Sequence, residues 1–179
     1  GIFSVLAANE SGHQLNDPDK ISHWFNKQGR LVRLSDAHDN FLQFEYGLRH
    51  EQKVLSRISD SLGQSLSFQY NQKGLIESMK DSLAREVVFT YDAEQNLTSV
   101  RSPLTEEFPK GRQTRYRYSG GHLAPSLNHN LVMIMDPKGQ LYLRNRYGTA
   151  DFEKDRLIAQ TFGEKETTEM TVKYESLKN

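Results

Sequence analysis

The sequence has no cysteine. That removes disulfides and thiol nucleophiles but leaves the compartment open, because exported chains without disulfides and reduced intracellular chains both look this way. It has no excess charge of either sign: 23 Lys and Arg balance 23 Asp and Glu. A nucleic-acid groove or a polybasic membrane face needs clustered cations, so neither partner is expected. No apolar run approaches the roughly 18 residues of a membrane-spanning helix. Apolar residues make up 36% and mean hydropathy is −0.72. Both values are low for a compact globule and suit a sheet that is wet on one face. Helix signals are weak: Leu104–Lys110 is interrupted by Pro109, and Asp151–Ile158 suffices for a turn or two. The chain starts at Gly1 rather than Met and reads as a piece of a longer protein, so missing targeting signals do not place it.

Catalytic motifs are missing too. There is no Gly-x-Ser-x-Gly. Ser119-Gly120-Gly121 follows a strand, but no Lys or Thr and no helix comes after it, so it is not a phosphate loop. His13, His23, His38, His50, His122 and His129 lack metal-ligand spacing. No enzyme activity, metal or cofactor is therefore expected.

What the sequence does contain is repetition. Asp60-Ser-Leu-Gly-Gln-Ser-Leu-Ser-Phe-Gln-Tyr70 is followed by Asp81-Ser-Leu-Ala-Arg-Glu-Val-Val-Phe-Thr-Tyr91. Each Asp is followed by apolar, Phe and Tyr residues at +6, +8 and +10, the period of a strand with one buried face. Asp36 leads to Leu42, Phe44 and Tyr46 at the same offsets, and Asp136 reaches Tyr147 one residue late through Leu143 and Asn145. Upstream, position −2 holds Leu34, Ile58, Met79 and Ile134, and position −5 holds Leu31, Leu55, Ile76 and Leu131. With Ser102 in place of an Asp, Leu97 and Val100 fill the same slots, and Tyr118 closes that unit after an insertion of six residues. Strand-ending aromatics then recur at Phe25, Tyr46, Tyr70, Tyr91, Tyr118, Tyr147 and Tyr174, in steps of 21, 24, 21, 27, 29 and 27 residues. Periods in this range mark a repeat array.

Each unit reads as a hairpin. Asp36, Asp60, Asp81 and Asp136 open a turn by accepting backbone hydrogen bonds. Gly63 and Gly139 stand three residues later, where a four-residue loop wants a positive φ. Asp39-Asn40 can substitute for that glycine, and Ala84 is a strained exception. Gly29, Gly74 and Asn96 mark a second set of turns between units. The expected core is Leu34, Leu42, Phe44, Tyr46, Ile58, Leu66, Phe68, Tyr70, Met79, Val87, Phe89, Tyr91, Val100, Tyr116, Tyr118, Ile134 and Tyr147. Tyr suits the last position if its ring packs and its hydroxyl reaches water. Positions −5 and −2 would lie on opposite faces of a straight strand, so either a bulge intervenes or both faces are partly covered.

The expected fold is all-β: tandem antiparallel hairpins in a curved sheet, with residues 1–23 an N-terminal strand and loop, 24–163 the repeats, and 164–179 the closing strand of a further, incomplete repeat. Gly1–Ala8 is a strand, Asn9–Lys20 a loop or turn, Ser119–Asn128 the flexible loop, and 164–169 a charged turn.

The units resemble the Rhs or YD repeats of bacterial Rhs polymorphic toxins, Tc toxin B and C components and teneurins. The match is carried by Ile58-x-Asp60-x-x-Gly63-x-x-Leu66-x-Phe68-x-Tyr70-Asn71 with Gly74-x-Ile76, by Phe89-x-Tyr91-Asp92 with Asn96-Leu97, and by His129-Asn-Leu, Ile134-x-Asp136-Pro-x-Gly139, Asn145-x-Tyr147-Gly and Arg156-Leu-x-x-Gln160. It spans about Trp24 to Gly163. The resemblance implies a segment of a larger spiral β-shell that encloses a C-terminal toxin or effector. It implies flanking repeats or a second chain at the open edges, the enclosed toxin domain and secretion machinery as partners, and a secreted or cell-surface location. It also offers a different reading: a recognition module binding glycan or a partner protein through exposed aromatics or the Gly120–Asn130 loop. Some members carry a self-cleaving aspartyl protease with paired Asp-Pro-x-Gly-Leu motifs. Here only Asp136-Pro137-Lys138-Gly139-Gln140 approaches that pattern, without the Leu or a second copy.

Overall fold

A computed structural model describes residues 3–149, 151–163 and 169–174. It is all-β, as the repeat pattern requires. The described residues form fifteen strands with two short 3₁₀ turns, Pro125–Leu127 and Asp151–Glu153. They divide into two compact units, Gly1–Glu86 and Val87–Asn179. The first holds β1 (Val5–Asn9), β2 (Gly12–Asn16), β3 (Ser22–Asn26), β4 (Leu31–Ser35), β5 (Phe41–Arg49), β6 (Gln52–Asp60), β7 (Ser65–Tyr70) and β8 (Ile76–Asp81). The second holds β9 (Glu86–Tyr91), β10 (Leu97–Arg101), β11 (Gln113–Tyr118), β12 (Leu131–Met135), β13 (Leu141–Tyr147), β14 (Leu157–Phe162) and β15 (Glu169–Thr171). In each unit the strands lie side by side, antiparallel, in chain order. Most of the charged turn expected at 164–169, and residues 175–179 of the closing segment, lie outside the described residues.

Two local expectations change. Residues 9–20 are not all loop, because β2 lies inside them and pairs with both β1 and β3. Gly12-His-Gln-Leu-Asn16 carries no period-2 alternation, so nothing announced the strand. Residues 119–128 are not an unstructured loop. Ser119 Oγ donates to the Leu127 carbonyl, the Asn128 side chain bonds both backbone groups of His122, and Leu127 is buried.

The ladder registers fix which side chains share a face, since directly opposed residues point the same way. In the first unit, Leu34 opposes Leu42, Phe44 opposes Ile58, Ile58 opposes Leu66, and Phe68 opposes Met79. Leu42, Leu66 and their partners therefore stand on one side. In the second unit, Phe89 opposes Val100, and Tyr116 opposes Ile134, which opposes Leu143. Val87 shares the face of Phe89 by alternation. This apolar face is half-buried rather than enclosed, with Leu42 at 38% and Leu66 at 41% exposure. Among the described residues, the only buried apolar side chains are Leu127, Leu143 and Ala159.

A bulge resolves the conflict between positions −5 and −2. Tyr46 opposes Leu55 while Glu45 opposes Arg57, so Ser56 is the extra residue. The same step leaves Val32, Glu77, Thr98, Val132 and Ile158 extra in β4, β8, β10, β12 and β14. Each follows the −5 position, and each −5 residue faces a strand-ending aromatic. The extra residue turns position −5 onto the face of position −2, so both can be apolar. A further bulge, at Tyr142 in β13, accounts for the late arrival of Tyr147.

Candidate functional site

The turn carboxylates form the most regular chemistry of the chain. Asp36 Oδ1 accepts from the N–H of His38 and Asn40, Asp60 Oδ1 from Leu62 and Gln64, Asp81 Oδ1 from Leu83 and Arg85, and Asp136 Oδ1 from Lys138 and Gln140. The backbone N–H of the Asp also donates to the fifth residue's carbonyl, which makes a three-residue loop rather than the four-residue one expected. The fourth residue takes positive φ: Gly63 and Gly139 at 83°, Asp39 at 62° and Ala84 at 61°. The Asn40 amide and the His38 N–H hold the Asp36 carboxyl below the usual range. Burial pushes Asp81 up, but bonds from the Arg85 N–H, the Arg85 guanidinium and the Leu83 N–H outweigh it and leave the group lowered. These oxygens are committed to structure. Asp136 Oδ1 is occupied in this way.

The second set of turns uses the same chemistry, which the sequence reading missed. Asn26 Oδ1 accepts from Gln28 and Arg30, Asn71 Oδ1 from Lys73 and Leu75, and Asp92 Oδ1 from Asn96. The signal was available: Asn or Asp directly follows Phe25, Tyr70 and Tyr91. The left-handed residue in the last turn is Gln95, with φ 72°, rather than Asn96.

The strand-ending tyrosines do not point their hydroxyls at water. Tyr46 donates to the Leu31 carbonyl at 2.8 Å, Tyr70 to Leu55 at 2.7 Å, Tyr147 to Leu131 at 3.2 Å and Tyr174 to Leu157 at 3.0 Å. Each acceptor belongs to the residue before a bulge, where the ladder is interrupted and a carbonyl needs a donor. Burial raises the pKa of Tyr70, Tyr91 and Tyr118. Tyr118 differs in one respect: among the described residues its hydroxyl has no such partner.

Tyr118 instead lines a cleft of about 510 Å³ in the second unit, with Tyr116, Asp92, Asn96, Arg117 and His129. Asn96 Nδ2 donates to Asp92 Oδ2 at 2.9 Å, and His129 Nδ1 lies 2.8 Å from Asn96 Oδ1. A carboxylate only accepts, so Asn96 turns its amide nitrogen to Asp92 and its oxygen to His129. His129 Nδ1 therefore donates to Asn96 Oδ1. Burial raises Asp92, but the Asn96 bonds, the Glu94 N–H and the nearby His129 outweigh it and leave it lowered. His129 has φ 69°, a left-handed backbone rare outside glycine. Sequence reasoning placed His129 beside a loop and gave it no role.

Among the described residues, no three His, Cys, Asp or Glu side chains are grouped to hold a metal ion. No helix there is long and apolar enough to cross a membrane.

No family model matches the chain, and no curated protein matches it. Solved structures do. The chain is similar to "Crystal Structure of TcdB2-TccC3-TEV", with a TM-score of 0.51 and 18% identity, over 87% of this chain and 9% of that one. It is similar to "Crystal Structure of TcdB2-TccC3-Cdc42", with a TM-score of 0.50 and 17% identity, over 86% of this chain and 9% of that one. A third is a Tc holotoxin pore from Photorhabdus luminescens, with a TM-score of 0.46 and 15% identity, over 92% of this chain and 11% of that one. The chain thus spans about 9% of the length of the TcdB2-TccC3 chains it matches. At these identities the likeness is one of fold: a β-sheet segment of the kind found in those multi-chain toxin complexes.

Proposed function

We propose that this chain is a stretch of wall from a hollow β-shell of the Rhs or YD type, enclosing a C-terminal toxin or effector. It performs no reaction itself. Its action is steric: a ladder of hydrogen-bonded strands keeps proteases and solvent from the payload. The observation that carries this reading is one hairpin repeated with turn, bulge and closing aromatic in phase, in a fold shared with part of the TcdB2-TccC3 chains. The ends of the ladder support it. Among the described residues β1 pairs only with β2 and β15 only with β14, and β1 is exposed throughout. Unpaired strand edges invite further strands, supplied here by flanking repeats of the same polypeptide or by a second chain. The parent protein is then an exported or cell-surface one whose partners are its cargo and the secretion machinery.

Limited proteolysis of the parent polypeptide tests this. With the segment intact, the downstream cargo survives a protease concentration that digests the isolated cargo. Cargo cut at the same rate in both forms rules the proposal out.

A further inference from the structure

We propose that the arginine-bearing face of the second unit docks an acidic segment of a partner protein. This goes beyond the wall reading and does not depend on it. The net charge of zero conceals how charge is placed in this unit. From β10 to β15 the strands hold Arg101, Arg115, Arg117, Arg144 and Arg146, no lysine and a single acid, Glu169. Asp92, Glu94, Glu106, Glu107 and Asp136 lie in turns and connections instead.

The ladder registers put four of these arginines on one side of the sheet. Arg117 opposes Met133, which opposes Arg144, and Arg115 opposes Met135. Arg146 shares the face of Arg144 by alternation. All four are exposed, whereas Tyr116 and Tyr118 alternate with them and point the other way. Like charges gathered on one face repel, and the hairpin does not require them: in the first unit Glu45 opposes Arg57. One carboxylate already reaches this face from a neighbouring strand. Glu169 Oε1 accepts from Arg146 Nη2 at 3.1 Å, beside a shallow hollow of about 300 Å³ that Arg144 and Thr161 also line.

The chemistry selects among anionic partners. A guanidinium pairs with a carboxylate through two parallel hydrogen bonds and gives up its water more readily than an ammonium group does. Arginine and methionine are enriched where proteins meet, and lysine is depleted. A nucleic-acid backbone or an anionic membrane is held by lysine as well as by arginine, so a face without lysine favours a protein. Arg115 and Arg117 stand two residues apart on one strand, as do Arg144 and Arg146, a separation of about 6.8 Å. An extended segment with an acid at every second position repeats at that same distance. Met133 and Met135, half-buried between the two arginine rows, give its side-chain stems an apolar strip to lie on.

Fluorescence anisotropy on the full chain tests the face, with a labelled peptide of alternating Glu and Val as probe. Binding is expected at low salt and should weaken at about 0.15 M salt, because exposed ion pairs are screened. Arg115→Gln and Arg117→Gln together should weaken it about tenfold, at roughly threefold for each exposed ion pair. Lys27→Gln, at an exposed turn of the other unit, should leave it unchanged. The double variant should keep the wild-type circular dichroism, because both arginines are exposed. If it fails to fold, Arg144→Gln with Arg146→Gln decides in its place. Three results each overturn the proposal: no binding of the peptide, binding unaffected by the arginine substitutions, or tighter binding of oligothymidylate or of phosphatidylserine vesicles than of the peptide.

Discussion

From Asn26 to Arg85, in the first unit, short turns of one design close the hairpins on both edges, apart from the β5–β6 connection at His50-Glu51. Among the described residues of the second unit, only the Asp92 and Asp136 turns keep that design, and longer segments with their own hydrogen bonds join β10 to β11 and β11 to β12. The slots filled by Phe44 and Phe68 in the first unit hold Asn145 near the end of the second. There Asn145 donates to the Leu131 carbonyl and accepts from Gln160 Nε2. The contrast separates what the hairpin needs from what it tolerates. The bulge is kept in both units, the Asx side chain wherever the turn is short and of this design, and the unit closed by Tyr118 does without the tyrosine donor to the carbonyl before the bulge. Aromatic packing in the middle of the strand can be exchanged for a polar ladder.

The contrast can be tested by substitution, and the middle slot should give the largest effect. Phe68→Ala should lower unfolding free energy by about 2–4 kcal/mol, below the figure for a fully enclosed ring because Phe68 is half-buried. Asn145→Ala should lower it by about 1–2 kcal/mol, through the loss of two side-chain hydrogen bonds, while the Leu131 carbonyl keeps the Tyr147 hydroxyl. Urea titrations of both variants give the ranking, and equal losses would erase the distinction between the units.

Next come the closing tyrosines. Tyr70→Phe should cost about 1 kcal/mol by removing the bond to Leu55, whereas Tyr118→Phe should cost about zero. Paired melting curves measure the difference. A loss at Tyr118 equal to that at Tyr70 would mean its hydroxyl is held after all.

Much of this was legible in the sequence, and the reasons differ by element. The Asp-to-Tyr spacing exposed the hairpins because turn chemistry and period-2 alternation leave marks at fixed offsets. The bulges showed only indirectly, as two apolar positions that a straight strand would set on opposite faces. The Asx chemistry of the second set of turns went unread because Asn and Asp alternate in it, and Asn96 stood in for Gln95, which carries the positive φ in one copy. The Asp92–Asn96–His129 chain joins residues 33 apart at its last link, and no local pattern reveals such a meeting.

A smaller effect concerns Ala84, which holds φ 61° where Gly63 and Gly74 hold 83°. Ala84→Gly should raise stability by about 0.5–1 kcal/mol, relieved strain outweighing the added chain entropy. Gly63→Ala should lower it by a similar amount. Differential scanning calorimetry reads both, and changes of the same sign would refute the turn assignment.

The smallest effect is acid sensitivity. Asp36, Asp81 and Asp92 have lowered folded-state pKa values, so their contribution is present above the ordinary value near 3.8 and is lost as pH falls through the folded values. Asp36→Asn should leave the melting temperature at pH 7 nearly unchanged, because Asn26 and Asn71 already hold equivalent turns. It should flatten the fall between about pH 4 and pH 2. An unchanged acid slope would show that the Asp36 charge has no part in it.

The constant phase of the extra residue has a genetic corollary. Joining Leu55 directly to Glu77 would excise 21 residues, one whole period, and place a −5 residue before a −4 residue as at every other junction. Sidedness and strand polarity would survive the cut. A gene built this way can grow or shrink by unequal crossing-over, one cassette at a time, without scrambling the cassettes on either side.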